Sequence, residues 1–184
     1  MLLRAFLVIP PYFCEDFMKI IETKRLYLRE LRHGDEAELK KILSDPVSMQ
    51  FYPHPFCREE VEQWVNWNLK NYATLQHGLW AVILKQDETF LGDCGITMQT
   101  IEHETVPEIG FHILPQYRCH GYATEAALAC KQYAFDVLRY PAVFSYTTLQ
   151  NIASQKVAQK IGMHFDRYFE KDGERHIVHV ATAP

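Results

Sequence analysis

Between Glu108 and Leu138 the chain passes from an apolar strand through a proline and a short polar turn into a long helical run, and that unit limits what the rest can become. The strand is Glu108-Ile109-Gly110-Phe111-His112-Ile113-Leu114, Pro115 ends it, and residues 124–138 carry the apolar spacing of a packed helix. The first backbone N–H groups of such a helix have no partner and lie at the positive end of its dipole. The turn at 116–126 therefore predicts a seat for a phosphate or pyrophosphate. Gly121 lets the backbone approach such a group closely, and the small Ala123 keeps that approach open.

The flanking segments alternate both element types. Residues 25–31 alternate as a strand, and a helix opens at Gly34-Asp35, runs to Leu43 and stops at Asp45-Pro46. Residues 52–56 read as a loop, and 58–72 as a second helix with Val61, Trp64, Val65 and Leu69 at helical spacing. Residues 79–84, 90–98 and 107–114 predict an antiparallel meander, 142–149 a further strand, 152–160 a helix, and 163–170 with 175–181 a closing hairpin around Lys171-Asp172-Gly173.

A chain of 184 residues with 48% hydrophobic content supports one core, so residues 18–184 read as a single domain. Residues 1–17 read as an N-terminal extension. Their apolar run is too short to span a bilayer, is broken by Arg4 and Pro10-Pro11, and is followed by no small-residue cleavage site. The net charge of −4 argues against nucleic acid as the main partner. Cysteines 14, 57, 94, 119 and 130 form no Cys-x-x-Cys pair, which favours a reducing cytoplasm. His176 and His179, three apart in an extended segment, point to opposite faces, and no metal is expected.

The loop Arg118-Cys119-His120-Gly121-Tyr122-Ala123 resembles the Arg/Gln-x-x-Gly-x-Gly/Ala coenzyme A loop of the GNAT N-acetyltransferases. Downstream, Asn151-Ile152-Ala153-Ser154 and Lys160-Ile161-Gly162-Met163 are similar to that superfamily's Asn-x-x-Ser/Ala…Lys-x-Gly-Phe helix, with Met163 where Phe is usual. Upstream, Lys24-Arg25-Leu26-Tyr27-Leu28-Arg29 followed by Gly34-Asp35 is similar to the opening strand and first helix cap of the branch containing the ribosomal-protein N-terminal (alanine/serine) acetyltransferases. The three blocks stand in the family's order.

The resemblance implies an α/β fold, α+β by segregation: a mixed, mostly antiparallel sheet of about seven strands flanked by about four helices. The sheet is expected to splay between its fourth and fifth strands, here 108–114 and 142–149. It also implies acetyl-CoA as the acetyl donor, held at Arg118, Cys119, His120, Gly121, Tyr122, Ala123, Thr124 and Asn151. The backbone N–H groups of Phe111 and Ile113 are expected on the pantetheine amides and the acetyl oxygen. The implied acceptor is a small-molecule amine or a protein N-terminus, covered by the 52–56 loop. The implied protein is a cytoplasmic enzyme without a metal, nucleic-acid or membrane partner, with which a homodimer is compatible.

Attack of an amine on a thioester needs a neutral nucleophile, a donor for the oxyanion and a proton for the thiolate. The family's equivalent strand often carries a carboxylate ahead of Ile-Gly-Tyr/Phe. Resemblance therefore makes Glu108 the general base, against a structural pairing with a neighbouring Lys or Arg. Asp93 is a second carboxylate that reads better as an outward-facing polar residue. Ser154 stands where branches of the family protonate or hydrogen-bond the coenzyme sulfur, though first-turn capping suits a serine equally well. The tyrosine acid of many members is Ala158 here, which leaves Ser154 or release without an acid. It also keeps open a catalytically silent acyl-CoA-binding or regulatory module of the same fold. Cys119, where Gly is common, predicts a stiffer loop. Trp64 and Trp67, three apart on a helix, read as core rather than as an acceptor wall. At pH 7 an α-amine with pKa near 8 is ~10% neutral and a lysine ~0.04%, a gap of roughly 3 kcal/mol that favours α-amines or small weakly basic amines.

Overall fold

The structure, a computed structural model, describes residues 19–184, so the extension at 1–17 lies outside the described residues. In chain order its elements are β1 (Lys19–Glu22), β2 (Leu26–Glu30), α1 (Glu36–Leu43), α2 (Arg58–Leu75), β3 (Leu79–Leu84), β4 (Thr89–Ile101), β5 (Glu104–Ile113), a 3₁₀ turn at Pro115–Tyr117, α3 (Tyr122–Asp136), β6 (Ala142–Thr148), α4 (Ile152–Lys160), β7 (His164–Lys171) and β8 (Glu174–Thr182). The eight strands form one sheet in the order β1-β2-β3-β4-β5-β6-β8-β7. Every neighbouring pair is antiparallel except β5 and β6, which run parallel and share a single register pair, Glu108 with Phe144. This is the expected splayed, mostly antiparallel sheet with four helices. It has one strand more than the sequence suggests, because β1, at four residues, is too short for alternation to register.

The helices divide between the two faces, and one dipeptide shows how. Consecutive strand residues point to opposite faces. Asp93 of β4 accepts from the Trp64 indole of α2, while Cys94 lies 3.7 Å from Cys130 of α3. β3, with the sequence Leu-Trp-Ala-Val-Ile-Leu, is buried along nearly its whole length, as a central strand covered on both faces must be. α2 is tied to the start of that strand by its buried polar residues: Asn68 Oδ1 accepts from Leu79 N at 2.7 Å, and the Tyr72 hydroxyl donates to Leu79 O. α1 buries Leu39, Ile42 and Leu43. Its N-cap residue, Asp35, does not cap through its side chain. Its carboxylate instead accepts from both Arg29 Nη atoms at 2.7 and 2.9 Å and from Arg32 N at 2.9 Å.

The β4–β5 hairpin reaches further than the alternation predicts, to Ile101 and Glu104 at its tip. Ile101 and Val106 pack there with Phe169 and Val178, a second small core that rewards the added length. Among the described residues, no helix is long and apolar enough to cross a membrane, and no three His, Cys, Asp or Glu side chains gather as a metal site.

Candidate active site

The seam between β5 and β6 is built by backbone geometry. Leu114 N donates to Leu91 O at 2.8 Å, and in an antiparallel ladder the bonded and non-bonded residues alternate. The N–H groups of His112 and Gly110 therefore face β4, and those of Phe111 and Ile113 face the side where β6 stops pairing. An extended ligand carrying its own amides is the kind of group that completes such an edge.

The turn after β5 leads into α3. Gly121 is the N-cap residue, with φ +82°. A Cβ built there would meet the Arg25 guanidinium at an ordinary 3.5 Å, so within the chain the backbone angle rather than space requires glycine. Cys119 also has a positive φ, +63°, and so occupies a conformation that glycine adopts freely. His120 and Tyr122 stack with centroids 5.8 Å apart and rings 12° from parallel, and the Arg25 guanidinium covers the Tyr122 ring at 4.5 Å. Arg25 also donates to His120 O at 3.0 Å and to Glu125 at 2.6 Å. The cation against the loop is thus Arg25, which the loop motif does not include. Arg118 instead donates back to Ile113 O at 3.0 Å and to Ser48 Oγ at 2.6 Å, toward the segment between α1 and α2. Ala123 and Thr124 are half-buried in the first turn of α3. At α4 the cap is Asn151, whose Oδ1 accepts from Ser154 N at 3.1 Å. Ser154 receives the cap rather than making it.

The titratable groups collect on the α2 face of the sheet. Residues opposite one another in the β4–β5 ladder share a face, and here the pairs are Asp93 with His112, Gly95 with Gly110, and Thr97 with Glu108. Two opposed glycines thus lie between a histidine–aspartate pair and a second carboxylate. His112 Nδ1 is 2.7 Å from Asp93 Oδ1, the Trp64 indole donates to Asp93 Oδ2 at 3.0 Å, and His112 Nε2 is 2.6 Å from the Tyr52 hydroxyl. Asp93 is fully buried, which corrects its reading as an outward-facing polar residue: Trp64 and His112 supply the partners that make its burial tolerable. Gly92 next to it has φ +146°, and a Cβ there would come within 1.9 Å of His112 O, so β4 approaches β5 this closely only with glycine.

Glu108 is 9% exposed and accepts from Thr97 Oγ1 at 3.4 Å, and Gln99 Nε2 donates to the same Thr97 oxygen at 3.2 Å. Burial pushes the Glu108 carboxyl up to about 7, against the opposing pull of His112, Thr97, Lys171 and the Tyr146 backbone. For His112, burial favours the neutral ring, but the Asp93 and Glu108 carboxylates together outweigh it and the net shift is upward. Tyr52 as a whole is 39% exposed, but its hydroxyl lies against His112, and desolvation there together with the nearby Glu108 and Asp93 carboxylates holds it neutral.

Beside this face is a cavity of about 350 Å³ lined by Phe56, Glu60, Gln63, Trp64, Trp67 and Gln99. Trp64 and Trp67, centroids 5.4 Å apart and both half-buried, line that cavity, and Trp64 also packs against the main core as its helical spacing suggests. A larger cleft of about 670 Å³ between α1 and α2 shares no residue with it and carries none of the groups just described. Ser154 is not among those groups either, since α4 packs beside α3 on the opposite face of the sheet. Glu108 and Ser154 therefore approach a common space only through the seam.

Sequence reasoning gave no role to the His112 side chain, and met Arg25 and Tyr52 only as parts of an opening strand and of the loop expected to cover the acceptor. His112 carried a usable signal, two strand periods from Glu108 and so on its face. The partnership with Asp93 depends on inter-strand register, which one strand's pattern does not fix.

Comparison with known proteins agrees with this geometry. Residues 25–164 match the acetyltransferase (GNAT) domain. The chain is similar to the Bacillus subtilis (strain 168) protein YkkB, 37% identical over 150 residues that cover 81% of this chain and 87% of that one. It is also similar to the N-acetyltransferase YnaD of the same organism, 32% identical over 152 residues covering 82% and 86%. The crystal structure of an acetyltransferase from Agrobacterium tumefaciens strain C58 superposes with a TM-score of 0.78 at 25% identity, covering 98% of this chain and 99% of the other. The match over most of the chain, together with the loop at Gly121 and the β5–β6 seam, places this protein in the GNAT acetyltransferase family.

Proposed function

We propose that this protein is an acetyl-CoA-dependent N-acetyltransferase that moves an acetyl group to a primary amine, either a protein or peptide N-terminal α-amine or a small amine. The observation that carries the reading is Glu108: a buried carboxyl poised near pH 7, on a glycine-floored strand pair beside an aromatic cavity. Acetyl-CoA supplies the activated acyl group. Phe111 and Ile113 offer it backbone amides, and the 118–124 turn with Asn151 offers the start of two helices. Glu108 takes a proton from the attacking nitrogen, and Ser154, freed from capping by Asn151, hydrogen-bonds the departing sulfur. The upstream block at Lys24–Arg29 supports an acceptor like those of the ribosomal-protein acetyltransferases, and the half-buried Trp64 and Trp67 suit an amine carried on an apolar or aromatic neighbour. A panel of N-terminal peptides, polyamines and small amines, read by thiol release at pH 8, tests the proposal. Acetyl-CoA binding without thiol release on any of them would make the protein a binding module instead.

Ser154→Ala is expected to lower turnover about tenfold, because a thiol of pKa near 8.5 is already a fair leaving group. A stopped-flow measurement of thiol release that finds no change removes Ser154 from the mechanism. The domain boundary is tested separately. Deleting residues 1–17 should leave the thermal midpoint within a few degrees, since eight paired strands and the core lie in 19–184. A large fall in Tm would make that segment part of the fold.

A further inference from the structure

Acetylation of an amine that arrives as an ammonium ion has more protons to move than one carboxylate holds. R–NH₃⁺ and CH₃CO–S–CoA give R–NH–CO–CH₃ and HS–CoA with one proton left over. Two protons leave the nitrogen, one ends on sulfur, and one passes to solvent. Glu108 accounts for a single transfer. Across the Gly95–Gly110 pair from it stands a second device, assembled from β4, β5 and the loop between α1 and α2.

We propose that the Asp93–His112–Tyr52 chain removes the ammonium proton of the acceptor, with Tyr52 the residue that touches the amine and His112 the residue that stores the proton. This rests on the acetyltransferase reading above. The geometry fixes each role. The Asp93 carboxylate accepts from the Trp64 indole through one oxygen, and its other oxygen faces His112 Nδ1, so the ring hydrogen sits on Nδ1 and the Nε2 lone pair faces the Tyr52 hydroxyl. With its hydrogen directed at Nε2, the Tyr52 oxygen is left as an acceptor, on the face of the sheet that also carries Glu108 and close enough for that carboxylate to act on it. In the transfer the ammonium N–H bond breaks and its hydrogen joins the Tyr52 oxygen. The former Tyr52 hydrogen moves to Nε2, giving an imidazolium against Asp93. The nitrogen keeps the bonding pair and attacks the thioester carbonyl. When product leaves, the same exchange in reverse delivers the proton to solvent beside Tyr52, which is 39% exposed. No oxidant or further reactant is needed.

The groups facing His112 agree with storage. Asp93 and Glu108 favour the imidazolium, Arg118 opposes it, and Trp64 and Tyr52 contribute neutral contacts. Trp64 holds the ring edge-to-face at 5.8 Å, and Tyr52 is itself packed on Phe56 at 6.3 Å, so the chain is braced at both ends.

The test compares wild type with His112→Gln, Tyr52→Phe, their double variant and Glu108→Gln. Thiol release is followed from acetyl-CoA with Ser-Ala-amide as the acceptor, from pH 6.5 to 9.5. His112→Gln and Tyr52→Phe should each lower kcat about tenfold, without compounding, in the window where the ring is neutral and the α-amine still charged, between the raised His112 titration and the amine's own pKa of about 8. The loss should fade below that window, where the ring already carries its proton, and by pH 9.5, where the α-amine is already neutral. The Glu108→Gln loss should persist across that range. A His112→Gln enzyme as active as wild type throughout that window, or equally impaired at every pH, overturns the proposal. Glu108→Gln silent with His112→Gln impaired would remove Glu108 from the reading and leave this chain standing; the reverse would sink the chain alone. No thiol release by wild type overturns both for α-amines. A second readout needs no acceptor: the NMR titration of the His112 ring should move in Tyr52→Phe, which is expected to fold because Tyr52 is partly exposed. An unmoved titration overturns the proposal.

Discussion

Glu108→Gln is expected to lower turnover by roughly 10²–10⁴-fold while leaving acetyl-CoA affinity nearly unchanged, because the side chain faces the α2 side of the sheet rather than the coenzyme turn. The limb of the kcat/KM profile near pH 7 should vanish with the carboxyl. The same substitution carries a stability signature of opposite sign. A carboxyl whose value is raised from 4.5 to about 7 binds its proton more tightly folded than unfolded. Its contribution is therefore fully present below pH 4.5 and lost as pH rises through 7. At about 1.4 kcal/mol per pH unit, the wild type should lose on the order of 3 kcal/mol across that window from this group. Glu108→Gln, with nothing to ionise, should keep it, so the variant should melt higher than wild type at pH 8 and close to it at pH 4.5. Paired melts and thiol-release assays at several pH values check both halves. A variant that loses stability at pH 8 and keeps its turnover would make Glu108 a structural carboxylate.

The second large effect is expected at the start of α3. Gly121→Val places a β-branched residue at φ +82°, where such side chains are strained, so the turn should shift and carry the N–H groups of the first helical turn with it. Coenzyme A affinity is expected to fall at least tenfold, ~1.4 kcal/mol, by calorimetry. Gly121→Ala separates shape from strain. Its Cβ has room at 3.5 Å from Arg25, so what it loses reports the backbone angle alone. Unchanged coenzyme A affinity in a folded Gly121→Val protein would remove this turn from the coenzyme site.

What the sequence displayed and what it hid separate along physical lines. Elements that bury an apolar face at regular spacing, such as β3, α2 and the strand–turn–helix unit at Gly121, are legible because periodicity and burial coincide. The hairpin tip was not, because Thr100, Glu104 and Thr105 interrupt the pattern and the apolar partners, Phe169 and Val178, lie far along the chain. Within the site, Glu108 follows from its place in a motif. Asp93 and His112 are 19 residues apart and meet only through register, while Tyr52 arrives from a loop with no periodicity at all. Long-range polar pairs leave no local trace, so the face that gathers these titratable groups had to be seen in three dimensions.

The single register pair between β5 and β6 divides the sheet into two half-sheets, β1 to β5 and β6 to β8, spliced by that short contact, by the small core of Ile101, Val106, Phe169 and Val178, and by α3 and α4. Such a splice should open as two cooperative units in hydrogen exchange, with the amides of β7 and β8 exchanging ahead of those in β3 and β4. A ligand lying in the gap, as the coenzyme does in the reading proposed above, would act as a removable extra strand bonded to the molecule's own exposed edge. At a hundred times its Kd it adds about 2.7 kcal/mol to the folded state. On the proposed reading, resistance to heat and proteolysis would then follow the concentration of the acyl donor, which melts at graded acetyl-CoA check.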